Sequence, residues 1–173
     1  SFAILDGGEA LVYDKHISVE HARFIRATLE AEGAERFTVL ASHSHPDHVA
    51  PAALLWRHWA GRAEPLLVAG PAAAVDVCRE WLAPDDPVEL RVLAAGETLD
   101  LGDHRVRAVA ADHGDAWSGE ALLYDIARAD GVASYVFAGQ DQPDEAAATI
   151  GALTRPENKH FRQRRLTQDN RPL

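Results

Sequence analysis

His43-Ser44-His45-Pro46-Asp47-His48 is the stretch on which the reading of this chain turns. It puts three imidazoles and one carboxylate within six residues. Just before it, residues 37–41 (Phe-Thr-Val-Leu-Ala) form a short apolar run that predicts a buried strand. The histidines therefore begin at the C-terminal end of a strand. Side chains two apart in an extended chain point the same way, so His43 and His45 can hold one metal ion from that end. Pro46 breaks the strand, and Asp47 and His48 turn into the following loop, where they can face a second ion beside the first. Imidazole together with carboxylate suits zinc, and also iron or manganese. One histidine in a polar loop would carry no such reading; this number at this spacing does.

Working outward toward the N-terminus, residues 2–5 and 10–13 are apolar runs separated by Asp6-Gly7-Gly8, which predicts a β-hairpin. Ser18 can cap a helix whose apolar stripe is Ala22, Ile25 and Leu29 and which Gly33 ends. Toward the C-terminus, residues 50–59 read as a helix with Leu54, Leu55 and Trp59 on one side, and residues 66–69 as a short strand. Gly70-Pro71 opens another helix that runs to about Leu82 and carries Cys78 as a core residue. After a loop at 83–87 comes a strand at 88–93. Two hairpins follow, 98–101 with 105–110 across Gly102-Asp103, and 121–126 with 134–138 through Asp130-Gly131. A last helix is expected at 144–153. Strands and helices alternate first and hairpins come after, which predicts α/β layers with a mixed sheet, or two sheets with helices outside. Residues 1–154 read as one domain and residues 155–173 as a polar tail.

A chain of 173 residues is long enough to bury a real core. Its net charge of −10 argues against a nucleic-acid-binding surface, and Arg162, Arg164 and Arg165 read as a solvated part of the tail. No apolar run approaches the roughly 20 residues of a membrane span, and the opening residues do not read as a signal peptide. Cytoplasmic location is the default expectation, with a small molecule as substrate and no membrane partner. The single cysteine rules out an internal disulfide. Methionine is absent, so Ser1 is read as not the natural start and the chain as part of a longer or processed protein.

The run at 43–48 matches the His-x-His-x-Asp-His signature of the metallo-β-lactamase superfamily, and the likeness extends along the chain. Residues 10–14 resemble the family's early strand ending in aspartate, here Asp14. Asp112-His113-Gly114 follows a hairpin strand, where the family places its third histidine. Phe137-Ala138-Gly139 resembles the strand end that carries the metal-bridging aspartate. The resemblance implies an αββα sandwich, two mixed β-sheets flanked by helices, with the opening strand missing or cut short before Phe2. It implies that His43, His45 and His113 hold one zinc ion, that Asp47 and His48 hold a second, and that Asp141 bridges them. Asp47 would also orient the attacking water, whose proton two neighbouring cations make easy to lose. Manganese or iron(II) would fit the same ligands.

Three departures stand out. Gln140, not aspartate, follows Gly139, and Asp141 comes one residue later; a one-residue shift in a strand reverses a side chain unless a bulge intervenes. His160 is the one candidate for the family's closing histidine, yet its surroundings do not read as a strand end. The family's first strand is short or absent. Histidine at position 45 departs from the glutamate-containing ligand set of the family's diiron redox members and points to hydrolysis. The stretch Ser118-Gly119-Glu120-Ala121-Leu122-Leu123-Tyr124 is similar to the phosphodiesterase branch, and residues 50–126 to metallo-hydrolase domains joined to cobinamide-kinase proteins. The expectation is a metal-dependent hydrolase, phosphodiester before ester, thioester or lactam. The alternative is a metal-binding but catalytically impaired module. His16, His21, His58 and His104 are read as surface groups, and Trp56, Trp59 and Trp81 as helix residues packed on the sheet.

Overall fold

The first hairpin forms where the glycines allow it. Strands β1 (Phe2–Asp6) and β2 (Glu9–Tyr13) pair antiparallel, with Phe2 opposite Tyr13 and Asp6 opposite Glu9. The turn between them is Gly7-Gly8, with φ of 55° and 79°, a left-handed conformation that a β-carbon disfavours. The structure, a computed structural model, describes residues 2–13, 19–46, 48–49, 64–111, 119–128, 130 and 134–137. The expected helices at 50–59 and 144–153 and the tail at 155–173 lie outside the described residues.

Helix α1 (Val19–Ala31) carries the chain back so that β3 (Arg36–Leu40) lies parallel to β2. Next come β4 (Leu66–Gly70), helix α2 (Ala72–Trp81) and β5 (Val88–Val92). The first sheet has the order β1-β2-β3-β4-β5 and is mixed, because only the β1–β2 pair is antiparallel. The second sheet holds β6 (Thr98–Leu101), β7 (His104–Ala111), β8 (Ala121–Arg128) and β9 (Ser134–Phe137) in sequence order. It is antiparallel throughout its described strands rather than mixed, as consecutive hairpins require.

Alternation along the central strands divides the core in two. Ala10 and Val12 of β2, Val39 of β3 and Val68 of β4 face the helices, where they meet Ile25 and Leu29 of α1 and Cys78 of α2. Leu11, Tyr13 and Leu40 face the other way and meet Val106, Leu122, Tyr124 and Ile126 of the second sheet. The described layers are thus helix, sheet, sheet, as in an αββα sandwich. Cys78 is buried, as expected, and burial pushes its thiol up to about 12.

Two expectations fail for stated reasons. His104, read as an exposed turn residue, is only 1% exposed. The turn is Gly102-Asp103, and His104 already pairs with Leu101 as the first residue of β7. Counting back from inward-facing Ala108 and Val106 puts His104 on the buried face. Trp81, expected to pack on the sheet, is 42% exposed. The buried stripe of α2 runs through Ala74 and Cys78, and Leu82 rather than Trp81 continues it against the core. Trp56, Trp59, His16 and His58 lie outside the described residues, while His21 is half-buried on α1.

A histidine cluster at the carboxyl end of the first sheet

Parallel strands of the first sheet all end at one edge, and outside the carboxyl ends of such strands is where α/β folds place their ligands. Beyond Leu40, Ala41 stays in register: its amide donates to the Ala69 carbonyl at 2.9 Å. The chain can run this close to β4 because position 70 is glycine. A β-carbon there would stand 2.9 Å from the Ala41 carbonyl oxygen and 3.1 Å from the Ala41 β-carbon. The Ala41 carbonyl accepts the Tyr124 hydroxyl at 2.7 Å, and the Ser42 carbonyl accepts the Leu122 amide at 2.8 Å. Both bonds come from β8, so the second sheet grips the strand just before the histidines.

His43 is 2% exposed. Its Nδ1 lies 2.7 Å from the Ser42 hydroxyl oxygen, a bond that fixes the ring's orientation. Its centroid is 4.5 Å from that of His45 and 4.1 Å from that of His48, so the three imidazoles of the run do come together. Nε2 of His43 and Nδ1 of His48 are both shielded from solvent. The expected loop after Pro46 is instead a helical turn. The amides of His48 and Val49 donate to the His45 carbonyl at 3.0 and 3.1 Å. Proline suits that first turn because its missing N–H costs nothing there. The turn brings His48 back over His43.

Asp47, His113 and Asp141 lie outside the described residues, as do Asp14, Gln140 and His160. Among the described residues no group of three His, Cys, Asp or Glu side chains stands around a point that would hold a metal ion. The described strands that precede His113 and Asp141 in the chain reach this edge. Ala111, the last residue of β7 before the segment bearing His113, pairs with Ala121, next to the Leu122 that binds Ser42. Phe137, the end of β9, pairs with Tyr124 and is followed by residues 138–141. Ser42, which the sequence analysis did not single out, bonds to a histidine of the cluster.

A family model described as a beta-lactamase superfamily domain matches residues 18–156. The chain belongs to this superfamily. Solved structures with the same fold include YhfI, a metallo-beta-lactamase fold protein from Bacillus subtilis, at 18% identity and a TM-score of 0.59, covering 78% of this chain and 52% of that one. The short form of human tRNase Z is 12% identical with a TM-score of 0.60, covering 86% of this chain and 65% of that one. A diphosphatase of the PhnP family is 16% identical with a TM-score of 0.55, covering 86% and 55%. The chain thus spans less than two thirds of the length of these structures. Comparison with curated proteins gives no match. Proteins of this superfamily's metallo-β-lactamase fold usually bind divalent metal ions. Among the described residues, no helix is long and apolar enough to cross a membrane.

Proposed function

We propose that this chain is a metal-dependent hydrolase that cleaves a phosphodiester in preference to an ester, thioester or lactam. The observation that carries the reading is the convergence of His43, His45 and His48 at the carboxyl edge of the first sheet. Imidazole together with the carboxylates expected beside it is donor chemistry that suits zinc, with manganese or iron(II) as the other candidates. His43 has Nδ1 engaged with Ser42, and its Nε2 would be the ligand atom. His43, His45 and His113 would hold one ion, Asp47 and His48 a second, and Asp141 would bridge. When bound, such a pair of ions activates water and polarises the phosphoryl oxygen.

The chain's own groups divide the remaining work. Ser42 holds the His43 ring in one orientation. The turn at Pro46 carries His48 onto His43. Asp47 would orient the attacking water by accepting its hydrogen bond. The choice of phosphodiester follows two proteins of the same fold, a tRNase and a diphosphatase. The net charge of −10 favours a small-molecule phosphodiester over a nucleic acid. We assign the chain no membrane partner and a cytoplasmic location.

A second reading, a metal-binding module with impaired catalysis, draws on Gln140 standing where the bridging aspartate is expected. Elemental analysis together with turnover of bis-p-nitrophenyl phosphate separates the two. Two ions per chain and turnover are expected. One ion without turnover would favour the module, and no bound metal would overturn both.

A further inference from the structure

The carbonyls of Ala41 and Ser42 are the last backbone acceptors before the first histidine, and both are held from a single strand of the opposite sheet. Tyr124 takes the first through its hydroxyl and Leu122 takes the second through its amide. Tyr124 is fully buried, and its ring meets the edge of Tyr13 with centroids 6.0 Å apart and planes at 77°. A ring packed in this way keeps few rotamers, so its hydroxyl defines a point in space. The same strand also pairs with the end of β7. Its first residue, Ala121, pairs with Ala111, from which the chain passes directly to Asp112 and His113.

We propose that Tyr124 is a positioning residue that holds the backbone two residues before His43 against the second sheet, and thereby sets the affinity of the His43–His45 strand end for a metal ion. The proposal rests on the reading above that these histidines share an ion. Tyr124 touches neither metal nor substrate; it acts through the Ala41 carbonyl two residues before His43. A metal site tolerates displacements of only a few tenths of an ångström in its ligands. Losing the one hydroxyl that joins this carbonyl to β8 therefore acts on affinity before it acts on the fold.

The test uses the full chain as wild type, Tyr124→Phe and Ile25→Val. The first substitution removes only the hydroxyl. The second trims a buried residue of α1, in the other core, as a control for general loss of stability. Hydrogen exchange in the metal-free proteins reads the clamp directly, and zinc titration against a chromogenic chelator reads affinity. Tyr124→Phe is expected to speed exchange of the Leu122 amide and of the peptide over residues 41–49 about tenfold. It is also expected to weaken zinc binding by about tenfold or more, in the range of other groups that orient metal ligands. Ile25→Val should change neither. Unchanged affinity in Tyr124→Phe, or an equal loss in Ile25→Val, overturns the proposal while leaving the hydrolase reading in place. A wild type that takes up no zinc overturns the hydrolase reading and this one with it.

Discussion

Each end of the two-sheet sandwich carries a buried histidine, and the two are set in opposite company. At the carboxyl end of the first sheet, His43 lies against Ser42 and two further imidazoles. At the other end, His104 lies among charges, with Nε2 4.0 Å from Oδ2 of Asp6. Arg128 pairs with both Asp6 and Asp130, and those contacts hold its guanidinium above its ordinary value, Asp130 most strongly. Nearby, Glu9 accepts from Arg36 and from Thr38 at 2.8 and 3.0 Å. Anions and guanidinium cations there compensate each other within the protein. The His43 end gathers imidazoles, the side-chain type that suits a metal ion. A buried histidine is thus informative through its neighbours, and each prediction below works by treating the two ends differently.

The largest difference should follow from His45→Ala. Removing one candidate ligand should abolish turnover of bis-p-nitrophenyl phosphate and release zinc. Wild type in zinc at a hundredfold over its dissociation constant gains about 2.7 kcal/mol by mass action, and the variant should lose that increment. His104→Ala, at the other end, should leave zinc content unchanged. Inductively coupled plasma analysis and melting curves with and without zinc read both. Equal metal content in wild type and His45→Ala would remove His45 from the site.

The next test is confined to the His43 end and asks whether its proposed ligand set is complete. A bulge after Gly139 would bring Asp141 inward, and Asp141→Ala would then lose one of two ions and most turnover. If the strand keeps its register, Gln140 faces the site, and a neutral amide compensates no cationic charge. Gln140→Asp would then raise zinc stoichiometry and turnover. The bulge is the expectation, so Asp141→Ala should be the damaging change. Wild-type metal content in that variant would transfer the role to Gln140.

Two glycines sharpen the contrast at smaller cost. In Gly70→Ala the new β-carbon meets Ala41 backbone at 2.9 Å, and backbone cannot step aside as a side chain can. A loss of about 2 kcal/mol is expected, together with weaker zinc binding, because Ala41 leads into the cluster. In Gly7→Ala the nearest atom is the mobile Asp103 carboxylate at 3.1 Å, and the strain comes from a φ of 55°. About 1 kcal/mol should be lost with zinc affinity intact. Urea denaturation and zinc titration check the pair; a matching change in zinc affinity at both positions would dissolve the distinction.

Strands and hairpins were readable from the sequence because their signals are local. Gly7-Gly8, Gly102-Asp103 and the alternation on either side set registers that the structure keeps. The histidine run was readable for the same reason, since its residues are neighbours in the chain. The grip of the second sheet was not, because Tyr124 and Ala41 are 83 residues apart and nothing in either segment names the other. His104 was misread by assigning it to the turn, although the alternation of β7 already pointed it inward. Trp81 shows the limit of a helical stripe at a helix end, where the next residue, Leu82, can take the buried place.

The smallest effect belongs to His104 itself. Both of its ring nitrogens are buried without a hydrogen-bond partner among the described residues, and Asp6 is too distant to supply one. A buried polar group in that state has lost its water and gained little in return, at a cost of about 1–3 kcal/mol. Leucine fills much of the same volume and has nothing to desolvate, while Arg128 remains to compensate Asp6. His104→Leu should therefore stabilise the chain by about 1 kcal/mol. The urea midpoint should rise at unchanged slope, and zinc affinity should stay where it is. The corresponding change at the other end, His43→Leu, should cost the metal-free protein about 1 kcal/mol, because the buried Ser42 hydroxyl loses its partner, and remove its response to zinc. A drop in the urea midpoint of His104→Leu would mean that the imidazole, though unbonded, contributes through its packing beside the Asp6–Arg128 pair. The two ends would then differ less than their neighbours imply.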